Sequence, residues 1–154
     1  MNFRKTILSL LFILTLIPSV GRAQQALFDK WENQKGITTV YISRNLLRFM
    51  PKVDGDLKDF KKIASKIDQI SILECEQRSK LAALRTDAQK YYKSGGYEVV
   101  MRINESDEKT TIYQRKLKGG KMEYVLFEEE SDEINIICVS GTITLDDIKG
   151  VIDD

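Results

Sequence analysis

Four alternating runs in the second half of the chain restrict its fold more than any other feature. Residues 97–104, 110–117, 122–129 and 134–141 each alternate apolar and polar side chains and are rich in β-branched and aromatic residues. That is the pattern of half-buried strands. The connections are short: 105–109, 118–121 with Gly119-Gly120 as a tight turn, and 130–133. Strands joined by so few residues pair antiparallel, because a parallel return needs a crossover of about a dozen residues or more. The second half therefore predicts a four-stranded meander, with Tyr97, Val99, Met101 and Ile103 forming one apolar face of its first strand.

The first half is mixed. Residues 25–33 are amphipathic at helical spacing through Ala26, Leu27 and Trp31, with Phe28 beside them, and Gly36 ends the segment. Residues 37–43 read as a strand, with Val40 and Ile42 on one face and Ile37 and Tyr41 on the other. A short helix carrying Leu46, Leu47 and Met50 follows, and Pro51 closes it. Asp56 is placed to cap a core-facing helix in which Leu57, Phe60, Ile63, Ala64 and Ile67 recur. Residues 69–75 form a second strand, with Ile70 and Ile72 opposite Leu73 and Cys75. The helical excursion between the two strands permits parallel pairing. A longer helix runs to Lys93, its buried stripe read as Leu81, Leu84, Ala88 and Tyr91, and Gly95-Gly96 ends it. Thr144, with Asp146 and Asp147 in the first turn, starts a last short helix. These elements define one α+β domain: an antiparallel-dominated sheet of about six strands, helices mainly on one face, and a C-terminal four-stranded meander.

Residues 1–23 have the form of a signal peptide. Arg4 and Lys5 precede an apolar run over 6–17, Pro18 breaks it, and Gly21 and Ala23 supply the small residues before a cleavage site. The expectation is cleavage between Ala23 and Gln24, leaving 24–154 as a single periplasmic or secreted domain. An uncleaved N-terminal anchor is the alternative, although the run is short for a span of about 20 residues. No lipid-anchor cysteine follows the run, and no other segment approaches a transmembrane length.

Loss of the leader takes Arg4, Lys5 and Arg22 but no acid, so the net charge of +1 becomes −2. Nucleic-acid binding needs a basic surface that this balance does not supply. The sequence contains no histidine, which excludes serine–histidine–acid triads and cysteine–histidine zinc sites. The acidic run Glu128, Glu129, Glu130, Asp132 and Glu133 lacks calcium-loop spacing, and alternate strand residues point to opposite faces. It reads as a solvated hairpin end. Cys75 and Cys138 both fall in strands; an exported protein permits a disulfide between them, while plain burial suits their apolar neighbours. Neither belongs to a C-x-x-C motif. Gly119-Gly120 opens no helix and so makes no phosphate loop. Tyr91, Tyr92, Tyr97 and Tyr113 gather near the long helix and first hairpin, as a binding surface or as half-buried packing.

The segments KGITTVYISRNLLRFMP (35–51), IDQISILECE (67–76), DAQKYYKSGGYEVVMRINESDEKTTIYQR (87–115) and GTITLDDIKGVI (141–152) together resemble the DUF4252 family of Bacteroidota. The likeness rests on the order of segments over nearly all of the mature chain. It implies export, a bacterial envelope origin and no assigned activity. This chain departs from the lipoprotein members in lacking their cysteine. No catalytic, cofactor-binding or metal-binding residue and no cofactor is expected. The function expected is that of a non-enzymatic envelope protein binding a protein or ligand partner through a sheet face or edge. The alternatives are a carboxylate-dependent hydrolase or a purely structural or regulatory secreted factor.

Overall fold

The computed structural model describes residues 23–49 and 62–152. The leader, and the part of the Asp56-capped helix that carries Leu57 and Phe60, lie outside the described residues. Helix α1 (Ala23–Trp31) leads into strand β1 (Ile37–Ser43) and the short helix α2 (Arg44–Phe49). Then come β2 (Ile67–Cys75) and the long helix α3 (Arg78–Ser94). The meander is β3 (Glu98–Asn104), β4 (Glu108–Lys116), β5 (Met122–Glu130) and β6 (Ile134–Gly141), and α4 (Leu145–Ile152) closes the described chain. The Gly119-Gly120 connection is a single 3-10 turn over Lys118–Gly120, with both glycines at φ 72°, a left-handed conformation that side chains with a Cβ resist.

All six strands join one antiparallel sheet in the order β1-β2-β6-β5-β4-β3. The meander keeps its sequence order, and β2 adds to its free edge beside β6. Strands β1 and β2 pair antiparallel, from Ile37 opposite Cys75 to Ser43 opposite Gln69, so their helical connection is not used for parallel pairing. The parallel relation belongs instead to β2 and β3, which are separated by three strands. Helix α3 makes that crossover: its 17 residues extend about 25 Å at 1.5 Å per residue. The gap from β2 to β3 is roughly 19 Å at 4.8 Å per strand. One long helix is therefore enough to carry the chain across the sheet.

The main core lies between the sheet and α1 and α3. Leu27, Phe28 and Trp31 of α1 and Leu81, Leu84, Ala88 and Tyr92 of α3 pack on Leu73, Cys75, Val125, Phe127, Ile134, Ile136 and Cys138. Tyr92, not Tyr91, completes the buried stripe of α3; Tyr91 sits on the flank, its ring 5.3 Å from that of Tyr92. Residues i, i+3, i+7 and i+11 from Leu81 share one helix face, and Tyr92 is the eleventh. The indole Nε1 of Trp31 donates to Asp87 on α3 at 3.0 Å, and Lys30 joins the same carboxylate. These bonds pin α1 to α3.

A smaller cluster occupies one end of the other face. Leu47, Ile63, Ile67, Tyr124 and Ile143 pack together there, with Ile42, Ile70, Met122, Val139 and Ile148 against them. It brings α2 and the start of α4 against the ends of the strands. The Thr144 hydroxyl accepts from the Asp147 N–H, while Asp147 accepts from the Thr144 N–H and hydroxyl, a reciprocal cap of the kind the sequence predicts. Lys66 bonds Asp147 at 2.5 Å and ties that helix to the approach to β2.

Candidate functional site

Cross-strand register places one apolar residue from every strand in a single line. Val40 lies opposite Ile72, Ile72 opposite Ile137, Ile137 opposite Leu126, Leu126 opposite Ile112, and Ile112 opposite Met101. Residues directly opposite share a face, so these six side chains form an unbroken row across the sheet, on the side away from α3. The ends of the row are open: Val40 is 40% and Met101 44% exposed. Ile72, Ile112, Leu126 and Ile137 are half-buried.

Neighbouring rows frame it. Ile42, Ile70, Val139 and Tyr124 lie on one side, in contact with the smaller cluster. Thr38, Glu74, Asn135, Glu128 and Thr110 lie on the other and end at Ile103. The face is thus an apolar band with a packed border and a polar border. An apolar centre beside a polar rim is a feature that recognition surfaces have in common.

A bulge in β3 decides which of its residues join the band. Val99 faces Tyr113 but Met101 faces Ile112, so Val100 is the extra residue. Alternation restarts after it. Val99 is left on the α3 side with Tyr113, while Met101 and Ile103 turn to the band. The single apolar face read from the sequence for Tyr97, Val99, Met101 and Ile103 is therefore divided. A one-residue bulge changes parity, and periodicity alone does not reveal it.

The remaining sequence candidates resolve as structure. The pleat splits the acidic run: Glu129 turns to the α3 side, is buried, and meets Arg85 at 3.2 Å, Lys109 at 3.3 Å and the Gln89 amide at 2.9 Å. Glu128 stays on the opposite face. Burial first, then the charges of Glu108, Glu130 and Glu133, push its carboxyl above the usual range. Among the described residues no three acidic or sulfur ligands converge for a metal. Cys75 stands opposite Ile134 and Cys138 opposite Ser71 on the same strand pair. Four residues therefore separate the cysteines along the ladder, about 13 Å at 3.3 Å per residue. A disulfide needs Cα atoms within roughly 7 Å; both cysteines are buried and no disulfide joins them.

The tyrosines surround a buried ion pair. Arg115 donates to Glu123 at 2.9 Å and to the Gly95 carbonyl at 3.3 Å, and its guanidinium lies 4.3 Å from the Tyr97 ring centre. The Tyr97 hydroxyl also donates to Glu123, at 2.5 Å. Tyr92 stacks on Tyr113 and meets Tyr97 edge-on. Desolvation, followed by the Glu123 charge, drives the Tyr97 hydroxyl well above its ordinary pKa. This network joins the end of α3 to β4 and β5. A shallow groove of about 530 Å³ between α1 and α3 is lined by Lys30, Trp31, Ala82, Thr86 and Asp87; Lys30 and Asp87 satisfy each other there.

A fold of this kind, one antiparallel sheet with a crossover helix on one face, is shared by proteins of varied function. The family model for a domain of unknown function, DUF4252, matches residues 30–151, and the chain belongs to that family. No curated protein matches it. Among solved structures it is similar to PA94, a protein of unknown function from Pseudomonas aeruginosa, at 14% identity over 81% of this chain and 79% of that one, with a TM-score of 0.38. A likeness at that level carries no functional argument.

The band was half visible beforehand. The sequence shows apolar residues on both faces of β1 and β2, which means that both faces of the sheet meet something. The line through all six strands depends on register, which no local pattern specifies.

Proposed function

We propose that this chain is an exported, non-enzymatic protein of the bacterial envelope, cleaved after Ala23, that binds another protein through the open face of its sheet. The observation that carries the reading is the in-register row Val40–Ile72–Ile137–Leu126–Ile112–Met101. A continuous apolar line with open ends and a polar border suits a partner that lays an apolar surface across the strands. The reading of the chain as non-enzymatic is supported by the use of its buried acids. Glu123 and Glu129 are each neutralised by cations rather than facing one another as a catalytic carboxylate pair would. The family resemblance to exported Bacteroidota proteins and the basic-then-apolar leader support the location. No helix of the described residues is long and apolar enough to cross a membrane.

The test is affinity purification from the native envelope with wild type and with Ile112→Lys/Met101→Lys, followed by mass spectrometry. A reproducible protein that is recovered with wild type and lost with the variant supports the reading. Recovery of the same set with both, or of no reproducible protein at all, overturns it. Cleavage is checked by N-terminal sequencing of the exported protein, with Gln24 expected as the first residue.

A further inference from the structure

The two edges of the sheet differ in their protection. Edge strands carry unpaired backbone groups, and natural sheets blunt them with charges, prolines or bulges. Strand β3 has Glu98, Arg102 and the Val100 bulge. Strand β1 has none of these. Its seven residues, ITTVYIS, include no charge, proline or glycine, and its pairing with β2 is regular throughout.

The geometry points to a second copy of this chain as the occupant of the β1 edge, paired antiparallel about a two-fold axis at Val40. Ile37 stands opposite Cys75, but its N–H turns back to the Gln34 carbonyl at 3.1 Å and is not given to β2. By the alternation of an antiparallel ladder, Thr38, Val40 and Ile42 bond inward to β2. Thr39 and Tyr41 then direct their N–H and C=O groups outward, where no described strand meets them. A two-fold axis at Val40 sets Thr39 opposite Tyr41 of the second copy in a hydrogen-bonded pair, and the reverse pair follows by symmetry. Ile37 stands opposite Ser43 of the second copy, but its N–H stays with the Gln34 carbonyl, so this outer pair can form only the bond from the Ser43 N–H to the Ile37 carbonyl.

This register is the one that keeps all seven residues paired. It opposes no like charges, because the strand has none. Val40 meets its own copy in the close, non-hydrogen-bonded position, and both Val40 and Tyr41 are about two-fifths exposed. The two six-residue apolar rows then join end to end across twelve strands. This goes beyond the proposed partner binding. It rests on the backbone edge of β1; Val40 also ends the face row, but Thr39→Pro below leaves all six residues of that row intact.

The experiment is sedimentation velocity on the exported protein, made from the full gene, at tens of micromolar. Wild type is expected at twice the mass of one chain. Val40→Lys and Val40→Glu are each expected at the mass of one chain, and an equimolar mixture of the two is expected to recover the dimer. Thr39→Pro removes an outward N–H but no inward one and is expected to abolish the dimer with an unchanged circular dichroism spectrum. Val40→Cys is expected to cross-link spontaneously under oxidation, a readout that does not depend on a charge at the axis. A monomeric wild type, a dimer that survives Val40→Lys, or a dimer in which Val40→Cys fails to cross-link overturns the assignment.

Discussion

The guanidinium of Arg115 stands 2.9 Å from the Glu123 carboxylate, and both side chains are more than nine-tenths withdrawn from water. Removing one member of such a pair leaves the other charged and unsolvated. Arg115→Met is expected to destabilise the fold by about 3–5 kcal/mol, read by urea denaturation. Arg115→Met/Glu123→Leu is expected to lose less than the sum of the two single changes. Tyr97→Phe removes one hydrogen bond to a charged acceptor and is expected to lose about 1.5–3 kcal/mol.

Alkaline pH acts on this network and, separately, on strand β1. Tyr97 is raised by desolvation and by Glu123, and Tyr41 is pushed up to about 12 by burial and its bond to Glu32. A group whose folded pKa lies above its unfolded value adds stability that is present below the unfolded pKa and lost as pH rises past it. Stability is therefore expected to fall as pH climbs above the ordinary tyrosine value of 10, with tyrosinate absorbance appearing in step with unfolding. Tyr41→Phe flattens the part of that slope between 10 and about 12.

Acid acts on the C-terminal helix. Asp147 is held at about 2, below its ordinary 3.8, by Lys66 and then by the Thr144 donors. A depressed carboxyl adds stability that is present above the unfolded pKa and lost as pH falls towards the folded one. The difference in melting temperature between wild type and Asp147→Asn is expected to be constant above about pH 5 and to shrink between 3.8 and about 2.

Gly141 gives a steric prediction. A Cβ at this position would run into the Lys66 carbonyl, the acceptor for the Thr142 N–H at 2.9 Å. Backbone cannot yield as a flexible side chain can. Gly141→Ala is expected to cost about 3 kcal/mol or more, whereas Gly96→Ala meets no neighbouring atom and loses only the ease of its positive φ. Equilibrium unfolding of the two variants separates the effects.

The cysteines give a chemical one. Cys75 and Cys138 lie four ladder positions apart, beyond disulfide reach. Two thiols are expected to react with an alkylating agent after unfolding without reductant, and reductant is expected to leave the melting temperature unchanged.

Local chemistry made much of the fold legible. Alternation marked 134–141 at its observed bounds, and β4 and β5 to within two residues. Helical spacing picked out Ala26, Leu27 and Trp31; Leu27 and Trp31 are in the core with their neighbour Phe28, while Ala26 is exposed. Thr144 capped where a threonine before two aspartates should. The misreadings share a cause. Tyr91 and Tyr92 are adjacent aromatics, and only packing against Tyr113 and Phe127 chose Tyr92 for the interior. The bulge at Val100 reversed the faces of Met101 and Ile103 through its pairing with β4.

The sequence by itself determined an α+β chain with an antiparallel meander, because side-chain periodicity and turn length are local and each follows from a few adjacent residues. It also determined that β1 is an uncharged strand. Tertiary structure alone decided that β2 joins β6 and that β1 falls at an edge. It alone set Val40, Ile72, Ile137, Leu126, Ile112 and Met101 in one line. Strand order and register are relations between residues distant in the chain. They are settled by the length of α3, which reaches across the sheet, and by burial of the shared core beneath it.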